Sequence, residues 1–541
     1  MELRPRRPAL AVALAVAGAL LCAAVAPQPA SAADLTTPAQ LGKPPKGFEL
    51  SGKQAVAIAD RQSKVRAQRR ERGELRPAAY TKGPGRWQVS YFEGRVERAQ
   101  VLVDDRTGGV LEAWVGPQVR WRMARGYEGA FGRKLNAPYV WIPFCLLFLA
   151  PFVDLRRPLR VLHLDLLVLL AFGASHIFFN RGEISTSVPL VYPVLLYLLA
   201  RMLATGFRRR RRSQPLVPYA PVWLLALGIV FLLGFRVALN VADSSVIDVG
   251  YAGVIGADKI VDGDELYGDF PENNAHGDTY GPLTYLFYVP FEQALTWSGA
   301  WDDLPAAHAA ALAFDLLTAL GLFVFGRRLR AGPAGTLLGS ALAYAWLSYP
   351  YALFALQSNA NDSLVAALLV WTLVGLSSAC TRGALSGAAF AAKFAPLALA
   401  PLFAAGVGDR KPRSLLWFAF AFAIVVSLAF VPFLPPGGLD QLWERTLGYQ
   451  SDRDSPFSVW GQYGLEPLRY ALAAGAALLA LAVFFLPKRR TPVQVAALGA
   501  VVLIASQLVI EHWFYLYVVW FTPFVLVAVM APLRAPARAS P

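Results

Sequence analysis

The feature that most constrains this chain is a succession of long apolar runs punctuated by short basic clusters. Ala137 to Leu155, Leu159 to Phe179, Val188 to Phe207 and Pro218 to Asn240 each approach the roughly 20 residues a helix needs to cross a bilayer. Arg156-Arg157, Arg208 to Arg212, Arg327-Arg328 and Lys488 to Arg490 lie beside such runs, as basic residues do in the cytoplasmic loops of membrane proteins. At 541 residues and 56% hydrophobic, the chain has room for many spans, and lipid leaves the helix as the economical way to satisfy their backbones. The net charge of +15 is accounted for by those clusters, so no nucleic-acid partner is needed to explain it. Of the three cysteines, Cys22 falls in the leader and Cys145 and Cys380 in apolar segments, which suggests neither a disulfide framework nor a zinc site.

Residues 1–32 combine Arg4, Arg6 and Arg7 with an apolar run from Ala9 to Val25 and the small residues Ala30-Ser31-Ala32. They read as a secretory signal peptide cleaved near Ala32 or Ala33, with an uncleaved first anchor as the alternative. The basic clusters then thread the later runs. The polar stretch Asp243–Pro282 falls outside the cell, and Gly281 to Trp297, broken by Pro282 and Pro290, lies along the outer interface. Ala384 to Ala405 becomes two half-spans hinged near Lys393 to Pro396. The expected fold class is a polytopic α-helical membrane protein of about 12 membrane segments with a small extracytoplasmic α+β domain, and the expected location is the plasma membrane.

That small domain occupies residues 33–130. Lys53 to Glu71 has helical periodicity, Trp87 to Phe92 and Ala99 to Asp105 alternate as strands do, and Thr107-Gly108-Gly109 supplies a turn before Val110 to Trp114. This order resembles a PepSY-type domain, which implies binding or regulation, a plain spacer being the alternative. It carries no His and no Cys, and no catalytic constellation is visible in it.

The stretch from Asp243 to Pro282 reads as a polar loop with eight carboxylates before Asp278, yet it keeps Tyr251, Ile255, Leu266, Tyr267, Phe270 and Tyr280. Long loops in compact proteins are usually functional or disordered, and these apolar side chains argue for folding against something. Ile247-Asp-Val-Gly-Tyr251, then Asp262-Gly-Asp-Glu-Leu-Tyr267 and Tyr280-Gly-Pro-Leu-Thr-Tyr285, resemble the opening of the polyprenyl-phosphate-mannose-dependent mannosyltransferases of the GT-C superfamily (glycosyltransferase family 87-like). Gly387 to Pro396, G-A-A-F-A-A-K-F-A-P, is similar to the same family's G-x-x-x-A-x-x-x-K-x-x-P segment. Gly281 departs from the pattern, standing where the family commonly has a second Pro. The resemblance implies a GT-C-like core over 216–535, preceded by three additional membrane helices over 137–215.

It further implies a polyprenyl-phosphate-linked sugar donor, most simply mannose, and an extracytoplasmic glycolipid or polysaccharide acceptor, at a membrane-lipid surface. Such transfer needs a carboxylate just after a span as general base. Asp248 matches the family position, with Asp243 as the competitor. The departing phosphate needs positive charge. Lys393, isolated in an apolar run, is the candidate, its alternative being to snorkel to the interface. Arg445 and Arg453 are further phosphate candidates, or else surface partners of Glu444, Asp452 and Asp454. His512, followed by Trp513-Phe514-Tyr515, suits a sugar or phosphate contact or an ordinary interfacial belt. Tyr251 and Tyr280 belong to the shared motifs and are expected with the donor. Asn359, Asn361 and Asp362 read as a polar cap on a span. No metal-ligand spacing stands out and no cofactor is expected, although the acidic stretch offers oxygen ligands to a divalent ion. The alternative function is a transporter or flippase of a lipid-linked or anionic substrate, and a third reading is a scaffold or sensor without catalysis.

Overall fold

The computed structural model describes residues 35–126, 134–207, 220–408, 410–451 and 455–532. The leader expected over 1–32, the Arg208 to Arg212 run and Arg453 lie outside them. The chain divides into two compact units, one of Gln28–Arg133 with Ile177–Ser187 and one holding the helices that follow.

In the first unit, strands β1 (Leu35–Thr36), β2 (Arg76–Lys82), β3 (Arg86–Glu93), β4 (Val96–Asp104) and β5 (Val110–Val115) form one antiparallel sheet in sequence order. Period-two alternation sends Trp87, Val89, Tyr91, Val101 and Val103 to one face, where Ala55, Ala59 and Val65 from two helices pack on them. The single helix expected over Lys53 to Glu71 is two, Gly52–Asp60 and Ser63–Arg72. A capping box between Ser51 and Gln54 starts the first. Asp105 pins its entry to the sheet by accepting from the Glu49 and Leu50 amides at 2.7 and 2.9 Å and from the Trp87 indole at 3.0 Å. Strand β2 was not legible because Arg-Pro-Ala-Ala-Tyr-Thr-Lys lacks the β-branched alternation of its neighbours.

Seven helices among the described residues, wholly or mostly in the second unit, are long and apolar enough to cross a membrane: Val161–Asn180, Ile184–Phe207, Val222–Ala242, Pro305–Leu329, Pro412–Phe433, Glu466–Phe485 and Pro492–Val509. Four shorter apolar helices accompany them, among them Asp362–Val374 and Tyr515–Met530. Gly281 to Trp297 holds two short helices, Pro282–Leu286 and Val289–Ala294, far below spanning length.

The basic clusters have a structural task. The last carbonyls of a helix lack intrahelical partners and carry partial negative charge. Arg328 donates to the Val374 carbonyl at 2.6 Å, Arg382 to those of Leu376 and Phe403 at 2.6 and 2.8 Å, and Arg330 to that of Ala531 at 2.7 Å. Arg490 donates to Val483 and Phe484 at 2.6 and 3.1 Å. Guanidinium groups thus gather where several helices end, and Asp362 begins the opposite end of the helix that stops at Val374.

The stretch after Asp243 is not a loop throughout, because Asp248–Asp262 is a 15-residue helix with Gly263 closing it in the left-handed conformation at φ 79°. Its buried residues include Gly250, Tyr251, Val254, Ile255 and Ala257, Asp258 is half-buried, and Asp248 and Asp262 at its two ends are exposed.

Candidate functional site

The site is built on a broken helix. Ala379–Ala392 ends at Lys393, whose backbone is extended at φ −135° and ψ 138°, and a 3-10 turn resumes over Ala395–Leu399. Pro396 has no amide proton to continue the helix, which accounts for the stop. The orphaned Ala392 carbonyl accepts from the Gly281 amide at 3.0 Å and from the Thr284 hydroxyl at 2.7 Å. This contact explains why glycine occupies position 281: a Cβ there would lie 2.1 Å from the Ala391 carbonyl oxygen, and proline would remove the donating N–H.

The break brings two expected residues together. Lys393 Nζ lies 5.2 Å from the centre of the Tyr280 ring and 5.3 Å from that of Trp520. Its charge is matched by Asp362 Oδ1 at 2.7 Å, and the Trp520 indole donates to the same oxygen at 2.9 Å. Both ionic side chains are nearly buried, 8% and 2% exposed. Asp362 is therefore not a cap, and Asn361, at the N-cap position, makes no capping bond.

The loop before Tyr280 is tied down by phenols. Tyr285 donates to the Gly277 carbonyl at 2.6 Å and accepts from the Tyr280 amide at 3.3 Å, while Tyr267 donates to the Tyr280 carbonyl at 3.0 Å. Within it, Asp278 is 1% exposed. One of its oxygens takes the Gly268 amide at 3.0 Å and faces Arg445 at 3.5 Å, and the other has no hydrogen-bond partner. Burial holds this carboxyl above the usual carboxylate range, against the opposing pull of Arg445 and the Gly268 amide. Arg445 stands on a π-helical turn, Glu444–Gly448, with its side chain 42% exposed. Among the described residues its partner is Asp278 and not Glu444, while Asp452 and Asp454 lie outside them. One helical turn on, Tyr449 stacks on His276 at 4.1 Å.

Asp248 is the first residue of its helix and is exposed, Oδ1 accepting from the Val249 amide at 3.0 Å. The start of the helix is fixed from two sides. Asn274 Nδ2 donates to the Asp248 carbonyl at 2.9 Å, and Asn361 Nδ2 to that of Val249 at 3.2 Å. Gly250 permits the second approach, since a Cβ there would meet the Asn359 carbonyl oxygen at 2.4 Å. Asn361 precedes the partner of Lys393, so one short segment joins the Asp248 helix to the broken helix.

The other expected residues fall elsewhere. Asp243 follows the Val222–Ala242 helix and pairs with Lys134, both side chains more than half exposed. Tyr251 is a packing residue, buried and stacked on Trp301 at 4.7 Å and edge-on to Trp297 at 5.9 Å. His512 bonds Ser455 Oγ at 2.9 Å and meets Phe457 edge-on, and Glu511 pairs with Arg469 at 3.4 Å, so it belongs with the 455–469 segment. Asp278 and Trp520 are members of the site that the sequence did not single out, and Asp362 read there only as part of a polar cap. No family model matches this chain, and no curated protein matches it.

The arrangement offers an exposed carboxylate, a half-exposed guanidinium and a buried, already neutralised lysine. The lysine's charge is spent on Asp362, so it holds the Tyr280 loop in place. Among the described residues of this arrangement, the partly exposed cation is Arg445, which faces Asp278.

Proposed function

We propose that the chain is a polytopic membrane protein whose helical unit transfers a sugar, most simply mannose, from a polyprenyl-phosphate donor to an extracytoplasmic cell-envelope acceptor with inversion. The arginine-capped helix ends face the cytoplasm, and Asp248 and Arg445 face the other side. One observation carries this reading: within the five residues Asn274–Asp278, Asn274 holds the Asp248 main-chain carbonyl at the start of its helix and Asp278 faces Arg445. A base and an anion-binding group are thereby held on either side of a single short segment.

In this mechanism Asp248 takes the proton of the acceptor hydroxyl as its oxygen bonds to the anomeric carbon. The anomeric carbon–oxygen bond to phosphate breaks, its electron pair leaves with polyprenyl phosphate, and Arg445 binds the phosphate charge from donor binding through its departure. Lys393, Asp362 and Trp520 position the Tyr280 loop. A transporter would draw on the broken helix, but the cation there is already matched by Asp362.

The test separates the two roles. Replacing Arg445 with Gln removes a charged hydrogen bond of about 1.5–3 kcal/mol, so the donor KM rises roughly 10- to 150-fold while the acceptor KM holds. An unchanged donor KM in that variant would remove Arg445 from the phosphate site.

A further inference from the structure

Beside the Asp248 helix, the turn Leu295–Ala306 encloses an open-mouthed cavity of about 120 Å³ whose lining includes Val254, Thr296, Trp297, Ser298, Asp302 and Asp303. Drug-sized ligands occupy roughly 300–1,000 Å³, so this space suits a single small ring and not a lipid chain. Its chemistry is mixed: an indole, two hydroxyls and two carboxylates, with no cation among them. An anion is disfavoured by Asp302 and Asp303. A metal ion is poorly served too, because Asp302 already accepts from Ser298 Oγ at 2.5 Å and from the Leu304 amide at 3.1 Å. A sugar ring fits what remains, its C–H face on the indole and its hydroxyls donating to Asp303 or exchanging with Thr296.

The cavity is preorganised and connected to the candidate base. The Trp297 amide donates to the buried Glu292 carboxylate at 3.2 Å, the Ala300 amide to Ser298 Oγ at 3.3 Å, and Leu304 is held at φ 41° in the left-handed region. Trp301 stacks on Tyr251 and donates through its indole to the Val246 carbonyl at 3.3 Å, two residues before Asp248. Val254 lies six residues along the helix from Asp248, a rise of about 9 Å. A group in the cavity is therefore offset from a hydroxyl reacting at Asp248.

We propose that this cavity is a saccharide subsite that takes one ring of a neutral glycan, so that the acceptor is an oligosaccharide bound by a sugar other than the one that reacts. The acceptor assignment rests on the transferase reading, whereas saccharide binding does not. The full chain is titrated with linear α-mannotriose and with maltotriose, following intrinsic tryptophan fluorescence. One triose quenches saturably, Trp297→Ala and Asp303→Asn each weaken it about tenfold or more, and Trp297→Phe stays within about threefold of wild type. Failure of both trioses to bind, or binding indifferent to Trp297→Ala and Asp303→Asn, overturns the subsite. Saturable triose binding without sugar transfer keeps the subsite and overturns the transferase. Transfer with an acceptor KM unmoved by Trp297→Ala and Asp303→Asn does the reverse.

Discussion

Replacing Lys393 with Met leaves the Asp362 carboxylate buried with only the Trp520 indole as partner. Removing one member of a buried ion pair costs about 3–5 kcal/mol, because the remaining charge stays desolvated and unmatched. The helical unit spans about 400 residues. At about 2.1 cal/mol/K of unfolding entropy per residue, its Tm falls by roughly 4–6 °C. Asp362→Leu alone strands the ammonium group and falls by a similar amount. The double variant exchanges the pair for apolar side chains that pack against Tyr280 and Trp520, a change that is often neutral or stabilising. The assay is a double-mutant cycle of thermal melts on purified protein, followed by loss of monodispersity. A Lys393→Met protein melting with wild type, or a double variant falling by the sum of the singles, would refute the argument that the pair is a closed electrostatic unit.

Gly281→Ala sets a Cβ against the Ala391 backbone, so the loop and the broken helix must separate; transfer activity falls at least tenfold while expression holds, measured against Gly475→Ala on an exposed helix face. Burial raises the Asp278 carboxyl, so the folded state binds its proton more tightly than the unfolded state does. That contribution to stability is present below the ordinary value of 3.8 and is lost as pH rises from there through the raised value. A Tm-against-pH series on wild type and Asp278→Asn shows a shallower decline in the variant over that window. The donor-KM effect of Arg445→Gln completes the set, read from initial rates at varied donor concentration.

Some of this site was legible in the sequence because its physics is local. A lone lysine three residues before Pro396 in an apolar run announces both a break and a buried charge. Asp362 was not legible as the partner: it stands 31 residues away and opens a helix, where a carboxylate reads as a favourable first-turn charge. The helix from Asp248 was hidden by glycines at 250, 253 and 256, which lower helix propensity. They lie on one face, where Cβ atoms would strike the Asn359 carbonyl and the rings of Tyr288 and Tyr285. Close packing against distant segments outweighs the propensity, and no window along the chain contains that information. Arg445 was legible as a cation and not as the partner of Asp278, since the pair is 167 residues apart. The basic clusters indicated which helix ends gather together, but the carbonyls they cap appear only in three dimensions.

The central claim is that Asp248 removes the acceptor proton in transfer from a lipid-phosphate sugar. Membranes bearing wild type or Asp248→Asn, supplied with radiolabelled polyprenyl-phosphate mannose, test it most directly. The substitution keeps the shape and the bond from the Val249 amide while removing the base. Transfer by wild type, with a loss of at least a hundredfold in kcat and little change in donor KM for the variant at equal protein level, is the predicted result. Full activity in Asp248→Asn would contradict the assignment of the base, and absence of transfer by wild type from any polyprenyl-phosphate sugar would contradict the transferase itself.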